Sequence, residues 1–356
     1  MKTTKKFLLT ATALAVLTST SAFASAGIDL IKTDDITVNM DGDLDLKIIN
    51  KGSGTTIQSN WDDIDFSFAY KIDEHLTFLA QTDWSAEYQY GTSTTSVDFD
   101  EDEVSNSKNG SIYNKGNYMG FAYDQHKIMV GGQEISFDKF GVDHSEVAFA
   151  DESSGYHDGR DATWHNTAFV YTYSLDNGYI SATYGKASDN TESASESDVY
   201  QVLAFMKTNG FELMGGIGQT KGVDGDDYEA VYGQLEAVYN YGNGQVGINF
   251  AMEDDKDAFT SQGVDLDFTY KMTKKATLNL GTSFITQDFD DNTDIDDYNS
   301  TYAGITYKFS KYVILYTEVS REDGQKAEYG SAGADKSYDT NANNDHYVGM
   351  YLNFQY

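Results

Sequence analysis

The sequence contains no cysteine and no proline among its 356 residues. The absence of cysteine excludes disulfides, zinc fingers and thiol catalysis. The absence of proline keeps every backbone donor available to a strand ladder, and 27 tyrosines, 20 phenylalanines and 32 glycines also suit long antiparallel strands. No composition shift or proline-rich hinge divides the chain, so we expect a single domain.

Basic residues are scarce. The chain has 24 Lys and Arg against 57 Asp and Glu, a net charge of −33. No basic run could neutralise phosphates, so nucleic-acid binding is excluded. No window approaches the roughly 18 consecutive apolar residues that a transmembrane helix needs. The sequence does not exclude a membrane-embedded β-barrel, because alternating strands give only a weak hydropathy signal.

The N-terminus has the pattern of a secretory signal peptide. Three lysines within the first six residues precede the apolar run Phe7 to Leu17, and Ser21-Ala22-Phe23-Ala24 forms an Ala-x-Ala cleavage site. We expect residues 1–24 to be removed after Ala24 and residues 25–356 to form the mature domain.

Most of the mature chain has the two-residue period of strands. From Ile36 to Ile48, apolar residues and Gly42 occupy the even positions and polar residues the odd ones. About a dozen residues is the right length for a tilted strand that crosses a bilayer. Similar patterns predict sixteen strands, at about 36–48, 64–70, 76–86, 115–123, 127–136, 165–174, 178–186, 199–207, 210–220, 228–240, 244–252, 262–270, 275–287, 297–308, 312–321 and 346–356.

The connections between these strands alternate in length. Short turns such as 124–126 and 271–274 alternate with long polar loops such as 51–60, 91–114 and 322–345. This is the pattern of an outer-membrane barrel, with short periplasmic turns and long external loops. The prediction is an all-β, 16-stranded antiparallel transmembrane barrel. Its last strand must pair with its first, and its interior is wide enough for a water channel.

One long segment interrupts the strands. Ser136 to His165 carries seven acids and two bases, and its middle, Asp143 to Asp151, could close a short helix. A structureless insert of this length is usually functional. We expect it to fold into the space that the barrel encloses.

Carboxylates recur on one face of the predicted strands. Asp41, Asp43 and Asp45 resemble the start of a calcium loop but lack the glycine and final glutamate of an EF-hand, so we expect no metal site. Their face is expected to be the lumen, where acids favour cations. The predicted wall contains Asp41, Asp43, Asp45, Asp63, Asp65, Asp83, Glu87, Glu236, Asp265 and Asp267, with Lys47 as its base.

We expect no chemical step and no cofactor. His144-Ser145-Glu146 invites comparison with a hydrolase, but a catalytic triad is a spatial arrangement and not a local one. None of the six histidines has metal-ligand spacing with another. The acid runs Asp98 to Glu103, Asp224 to Asp227 and Asp288 to Asp297 are either solvated loop charge or sites for divalent ions that bridge to lipopolysaccharide or to a neighbouring subunit.

The chain resembles the general trimeric porins of Gram-negative bacteria, of the enteric and vibrio type. The resemblance covers nearly the whole mature chain. It depends on Asp41 to Gly54, on the hairpin Tyr118 to Tyr123 that leads to Val130-Gly131-Gly132, on the insert that follows, and on the aromatic end Phe354-Gln355-Tyr356, which the barrel-assembly machinery would recognise.

The resemblance implies a homotrimer in the outer membrane, in which each subunit has a pore narrowed by an inward-folded third loop. The second loop, Gly91 to Asn114, would then latch onto the neighbouring subunit. The acids of the constriction would be Asp143, Glu146, Asp151, Glu152 and Asp158.

The chain departs from the family pattern in three places. The Pro-Glu-Phe-Gly-Gly-Asp type of motif is absent from the third loop, and the chain ends in Tyr356 where Phe is customary. Where the family has arginines opposite the loop, this chain offers Asp63 and Asp65 on the second strand, Lys115 or Asn117 on the fourth and His165 on the sixth.

We therefore expect a cation-preferring diffusion channel for ions and small hydrophilic solutes. A substrate-specific porin, for example for a sugar, is an alternative that an aromatic track through Tyr156, Trp164 and Tyr179 would favour. A second alternative is that the barrel is not a transport protein and that its acidic loops bind other surfaces, as in an adhesin or a structural anchor.

Overall fold

The structure, a computed structural model, describes residues 27–51, 54–90, 108–140, 164–186, 198–222, 229–255, 259–289, 297–324, 326–329, 336–339 and 345–355. Strands make up nearly all of this part of the chain. Within these ranges, no helix is both long and apolar enough to cross a membrane. The strands are β1 Ile28–Lys32, β2 Ile36–Lys51, β3 Gly54–Lys71, β4 Leu76–Tyr90, β5 Lys108–Tyr123, β6 His126–Glu134, β7 Trp164–Leu175, β8 Gly178–Gly185, β9 Asp198–Thr208, β10 Phe211–Lys221, β11 Glu229–Asn240, β12 Gly244–Asp255, β13 Phe259–Lys271, β14 Ala276–Phe289, β15 Tyr298–Lys308, β16 Val313–Asp323, β17 Lys326–Tyr329, β18 Lys336–Asp339 and β19 Asp345–Gln355.

Sixteen of these strands form a closed ring. From β2 to β16 each strand pairs antiparallel with the next, β16 pairs with β19, and β19 pairs with β2. Each strand of the ring therefore has a hydrogen-bonded partner on both sides, as a wall in lipid requires. The prediction of a 16-stranded antiparallel barrel is confirmed.

Side chains alternate between the two faces of this wall. On β12, Val246, Ile248 and Phe250 are exposed on the outer face, whereas Gly247 and Asn249 are buried on the inner face. An apolar exterior and a polar interior are the arrangement that a barrel in lipid requires.

The short connections lie together on one rim. Residues 72–75, 124–125, 176–177, 209–210, 241–243, 272–275 and 309–312 join neighbouring strands there. The connections at the opposite rim fall largely outside the described residues.

The structure differs from the predicted strands in four places. β1 was not predicted, because five residues are too few to show a clear period; it pairs with the first part of β2, beside the part that binds β19. β3 begins at Gly54 and β5 at Lys108, so part of each predicted loop belongs to the sheet. The first residues of these two strands are polar and show no apolar alternation, and they belong to the sheet because they pair with β2 and β4. The predicted loop 322–345 contains the small hairpin of β17 and β18.

The chain turns into the barrel after β6. Gly131 has a φ of +137°, a conformation that side-chain-bearing residues rarely adopt, and the register between β6 and β7 shifts at this point. A bulge of this kind bends a strand and redirects the residues that follow. Ile135 and Phe137 are buried, and residues Ser136–Lys139 form one turn of 3-10 helix. The third loop therefore begins by folding inward, as expected.

Candidate functional site

Three aspartates form one row across the inner face of the barrel. The backbone register pairs Asp41 on β2 with Asp65 on β3, and Asp65 with Asp83 on β4. Gly27 and Gly116 occupy the same row on either side. Directly opposite positions in a sheet bring Cβ atoms to within about 5 Å, so three carboxylates are concentrated on adjacent strands.

Neutral side chains donate hydrogen bonds to this acidic row and its neighbour Asp43. Gln81 Nε2 donates to Asp83 Oδ1 at 2.8 Å, and Asn353 Nδ2 donates to Asp43 Oδ2 at 2.8 Å. Such amide donors orient a carboxylate without cancelling its charge. The row therefore brings three carboxylates together on the inner wall, beside Asp43.

A second set of inward acids lies on β13 and β16. Gln234 Nε2 donates to Asn249 Oδ1, and Asn249 Nδ2 donates to Asp265 Oδ2, each at 3.0 Å. On β16, Glu318 and Glu322 are buried on the inner face. Acids are thus spread around much of the inner wall.

The first residues of the third loop are held by polar contacts to the wall. Ser136 Oγ is hydrogen-bonded to Ser181 Oγ at 2.9 Å and to Thr183 Oγ1 at 2.7 Å, both on β8. The backbone N–H of Phe137 donates to Gln201 Oε1 on β9 at 3.2 Å. These contacts fix where the loop leaves the wall.

An aromatic contact extends this anchor to β11. The Phe137 ring meets the Tyr232 ring edge to face, with centroids 4.9 Å apart, and Gln201 Nε2 donates to the Tyr232 hydroxyl at 2.9 Å. Two glycines of β10 make room, because a Cβ on Gly216 would lie 3.0 Å from the Phe137 ring and one on Gly218 would lie 2.2 Å from Tyr232. The start of the loop is therefore packed against the lumen side of β8 to β11.

The wall opposite this anchor is acidic. In a ring of sixteen, the strands eight positions from β8 to β11 are β16, β19, β2 and β3. The full sequence has two arginines, Arg160 and Arg321. Arg321 lies on the outer face of β16, 3.1 Å from Asp323, and Arg160 is outside the described residues. Across the described part of the barrel, no arginine side chain faces the loop.

Two described lysines on the loop's own side face the lumen, and Lys71 occupies an inward position on β3 at the short-turn rim, paired with Thr77. Lys139, in the 3-10 turn, places its Nζ 4.9 Å from the centre of the Tyr179 ring. Lys127 on β6 occupies an inward position, paired with Ala122 and Thr172.

The predicted site residues fall into three groups. Asp41, Asp43, Asp65 and Asp83 come together as described. His165 is buried with its ring against Gly185, and its Nδ1 accepts a hydrogen bond from the backbone N–H of Thr167 at 3.0 Å.

For the second group the structure gives a strand position without a described side chain. These residues are Asp45, Lys47, Asp63, Glu87 and Lys115. Lys115 falls at the register shift between Asp83 and Trp84 in the pairing of β4 with β5. The third group lies outside the described residues and contains Asp143, Glu146, Asp151, Glu152 and Asp158.

Sequence reasoning missed the inward aromatic residues. Tyr232 and Tyr302 point into the barrel, where the Tyr302 hydroxyl donates to Asp267. Each ring lies over a glycine on the neighbouring strand, Gly218 for Tyr232 and Gly281 for Tyr302. These glycines could have indicated the inward rings only if the register between the strands had been known. Tyr179, one of the residues considered for an aromatic track, also faces inward, beneath Lys139. Glu318 and Glu322 alternate with outward Val319 and Arg321, so period two alone would have found them.

A titratable pair links two short turns outside the membrane-spanning strands. His75 Nδ1 lies 2.7 Å from Asp124 Oδ1, and this hydrogen bond, with the charge of Asp124, raises the pKa of His75. Backbone N–H groups of His75 and Leu76 donate to Asp73 Oδ1 and lower its pKa. Within the described ranges, no cluster of three His, Asp or Glu side chains is arranged to hold a metal ion.

Comparisons with known proteins agree with this geometry. The sequence profile of the Gram-negative porin family matches residues 11–327. No curated protein sequence matches the chain. An OmpT of Vibrio cholerae that lacks loop L8, an outer membrane protein, has a similar structure, with a TM-score of 0.71 and 18% identity, covering 91% of this chain and 100% of that one.

Two other solved structures are similar. OmpF of Salmonella typhi, in complex with daunomycin, has a TM-score of 0.67 and 15% identity, covering 92% of this chain and 99% of that one. An anion-selective porin from Comamonas acidovorans has a TM-score of 0.65 and 10% identity, covering 90% of this chain and 100% of that one. At these identities the likeness shows the fold alone.

Proposed function

Because the chain belongs to the Gram-negative porin family, an outer-membrane family, we propose that it is a diffusion channel that prefers cations and carries ions and small hydrophilic solutes. The channel performs no chemical step and needs no cofactor. Passage depends on the size and charge of the solute and on the residues that line the lumen.

The acidic row Asp41, Asp65 and Asp83 is the observation that supports cation preference. Asp41 and Asp65 lie on strands opposite the anchored start of the loop, Asp83 lies on the next strand, and the described side chains of these strands include no inward arginine. A fixed negative wall attracts cations and repels anions. We propose that the remaining predicted lumen residues, whose side chains are outside the described part of the structure, also line the channel. We propose the same for the five predicted acids of the constriction.

We also propose that three copies assemble through the outer face of β4 and β5. Polar groups are costly against lipid, yet this face carries a hydrogen-bonded cluster. Thr82 Oγ1 donates to Asn117 Oδ1 at 2.7 Å, and Asn114 Nδ2 donates to Thr82 Oγ1 at 3.0 Å. A neighbouring subunit would cover these groups. One of the similar solved structures, OmpT of Vibrio cholerae, is described as a trimer form.

The proposal includes export and membrane insertion. Residues 1–24 serve as a cleaved signal peptide, the barrel-assembly machinery inserts residues 25–356, and the long loops contact lipopolysaccharide. The N-terminal pattern, the aromatic C-terminal end and the acid runs of the loops support these three steps.

Single-channel recording in planar bilayers tests the function. Purified protein in a bilayer that separates two KCl solutions of unequal concentration should form open channels. Their reversal potential should have the sign expected when potassium crosses more readily than chloride. Absence of conductance would support the surface-interaction alternative. A chloride preference would contradict the role of the aspartates. Saturable block of the current by one sugar would support the substrate-specific alternative.

A further inference from the structure

The short-turn rim carries a cluster of lysines that the channel function does not use. Lys274 and Lys275 belong to the turn between β13 and β14, and Lys311 to the turn between β15 and β16. All three are exposed. In a chain with 57 acids, neither 270–277 nor 307–313 contains one. We call these three residues the rim-lysine patch.

Contacts hold the two turns of the patch together. Lys275 Nζ donates to the carbonyl of Phe309 at 3.2 Å, and the N–H of Lys308 donates to the carbonyl of Lys275 at 2.8 Å. Elsewhere on this rim lysines stand beside acids, as Lys32 does at 2.8 Å from Asp29. The patch is therefore a local concentration of positive charge.

Exposed aromatic side chains surround the patch on the outer face. Tyr270, Tyr307, Phe309 and Tyr312 are all more than one third exposed, and Lys311 Nζ lies 4.3 Å from the centre of the Tyr312 ring. Aromatic residues of this kind sit at the level of lipid headgroups. The lysines are thus at the depth of the phosphates in the periplasmic leaflet.

An apolar groove continues from the patch across the outer wall. It has a volume of about 680 Å³ and is lined by outward residues that include Leu278, Ile305, Val319 and Met350. Ala303 forms part of its floor, where the small side chain leaves space. Leu278 lies three residues beyond Lys275, which is about 10 Å along a strand and about 7 Å of depth at a tilt of about 45°. That depth matches the headgroup layer of one leaflet, roughly 5–7 Å.

We propose that the rim-lysine patch and this groove form a binding site for an anionic phospholipid of the periplasmic leaflet. The lysines take the phosphate and any further negative charge of the headgroup, and an acyl chain lies in the groove. This inference depends on the membrane placement of the barrel and not on its ion selectivity. The lysines lie at least four strands from the outer face of β4 and β5 that we assign to subunit contact, and the groove extends from them as far as β2.

Native mass spectrometry of the purified full-length protein tests the proposal. Phosphatidylglycerol and phosphatidylcholine with identical acyl chains serve as probes, and the variant is Lys274→Gln/Lys275→Gln/Lys311→Gln. We expect the wild type to bind phosphatidylglycerol more tightly than phosphatidylcholine, and the variant to lose at least about tenfold of that affinity, because each lysine near an anionic headgroup contributes substantially. Excess inorganic phosphate should not displace the lipid, since it cannot fill the groove.

The matched control is Lys32→Gln/Lys71→Gln/Lys207→Gln, which removes three lysines of the same rim outside the patch and should keep lipid preference. Lys274→Arg/Lys275→Arg/Lys311→Arg keeps the positive charge and should also keep the preference for phosphatidylglycerol. Equal binding of the two lipids by the wild type, or an equal loss in the control, overturns the proposal. Channel conductance measured on the same samples separates this failure from failure of the channel function and shows that each variant has folded.

Discussion

Asp65 on β3 lies directly opposite Asp83 on β4, on the inner face of a closed barrel. Like charges at directly opposed positions destabilise a sheet. The barrel therefore accepts a local cost in stability at this row, and the proposed benefit is a negative wall along the path of the ions.

Removing these charges should weaken cation preference. A carboxylate about 10 Å from an ion in water contributes roughly 0.4 kcal/mol, a factor of about two. Because it attracts potassium and repels chloride by the same factor, Asp65→Asn and Asp83→Asn should each lower the ratio of potassium to chloride permeability by about fourfold. Reversal potentials in a KCl gradient measure this ratio. Asp34→Asn, in an exposed turn, is the control and should leave it unchanged; an equal shift there would refute a local effect.

Truncating the aromatic anchor should loosen the third loop. Phe137 is buried and packed against Tyr232, and a buried Phe→Ala change typically costs about 3–5 kcal/mol. We expect Phe137→Ala to give larger or noisier single-channel conductance, because the start of the loop leaves β11. The lipid-facing Phe250→Ala serves as control. Unchanged conductance and noise in the Phe137 variant would count against an anchoring role.

The contact between His75 and Asp124 should depend on pH. The pKa of His75 is raised above its ordinary value of 6.5, so the folded state binds this proton more tightly than the unfolded state. The added stability is complete below about pH 6.5 and is lost as pH rises through the folded pKa. Thermal unfolding of the wild type and of His75→Gln should differ most near pH 5.5 and converge in alkaline solution. A constant difference across this range would contradict the linkage.

Replacing a polar group on the outer face of β5 should distinguish a lipid-facing surface from a subunit interface. Asn117→Leu removes hydrogen-bonding groups from the cluster with Thr82. If subunits meet here, the trimer should dissociate at a lower temperature on unheated gels, whereas a lipid-facing site would tolerate leucine. Val130→Leu, exposed on the outer face of β6, is the control.

Export should leave a defined N-terminus. If residues 1–24 form the signal peptide, intact mass measurement of protein purified from outer membranes should show Ser25 as the first residue. Ala22→Leu and Ala24→Leu should block processing, because the cleavage site requires small residues. A mature protein that begins well before or after residue 25 would contradict the assignment.

The strands were predictable from sequence where lipid imposes a period of two. Val246, Ile248 and Phe250 alternate with small or polar residues because one side of β12 meets hydrocarbon. The same rule fails near the external rim, where both faces can meet water. The sequence from Gly54 onward is polar and therefore predicts a loop. In the structure it is the start of β3, because Gly54 pairs with Lys51 of β2.

The inner wall was predictable only in part. Alternation identified Asp41, Asp65 and Asp83 as sharing a face, but their alignment in one row depends on the register between strands. The position of Tyr232 depends on Gly218, which lies on another strand. The outward cluster of Thr82, Asn114 and Asn117 likewise requires three-dimensional neighbours, since no local pattern connects residues so far apart in the chain.

The pairing of β19 with β2 also sets an order of events during synthesis. Asn353 and Asp43 are hydrogen-bonded across 310 positions of sequence, so β2 is among the first strands to be made and its partner is the last. Until β19 is complete, β2 and β16 both expose unpaired backbone edges, which are prone to aggregate. A chain that stops before its final strand keeps both edges open, and it cannot enter the hydrocarbon layer as a closed wall.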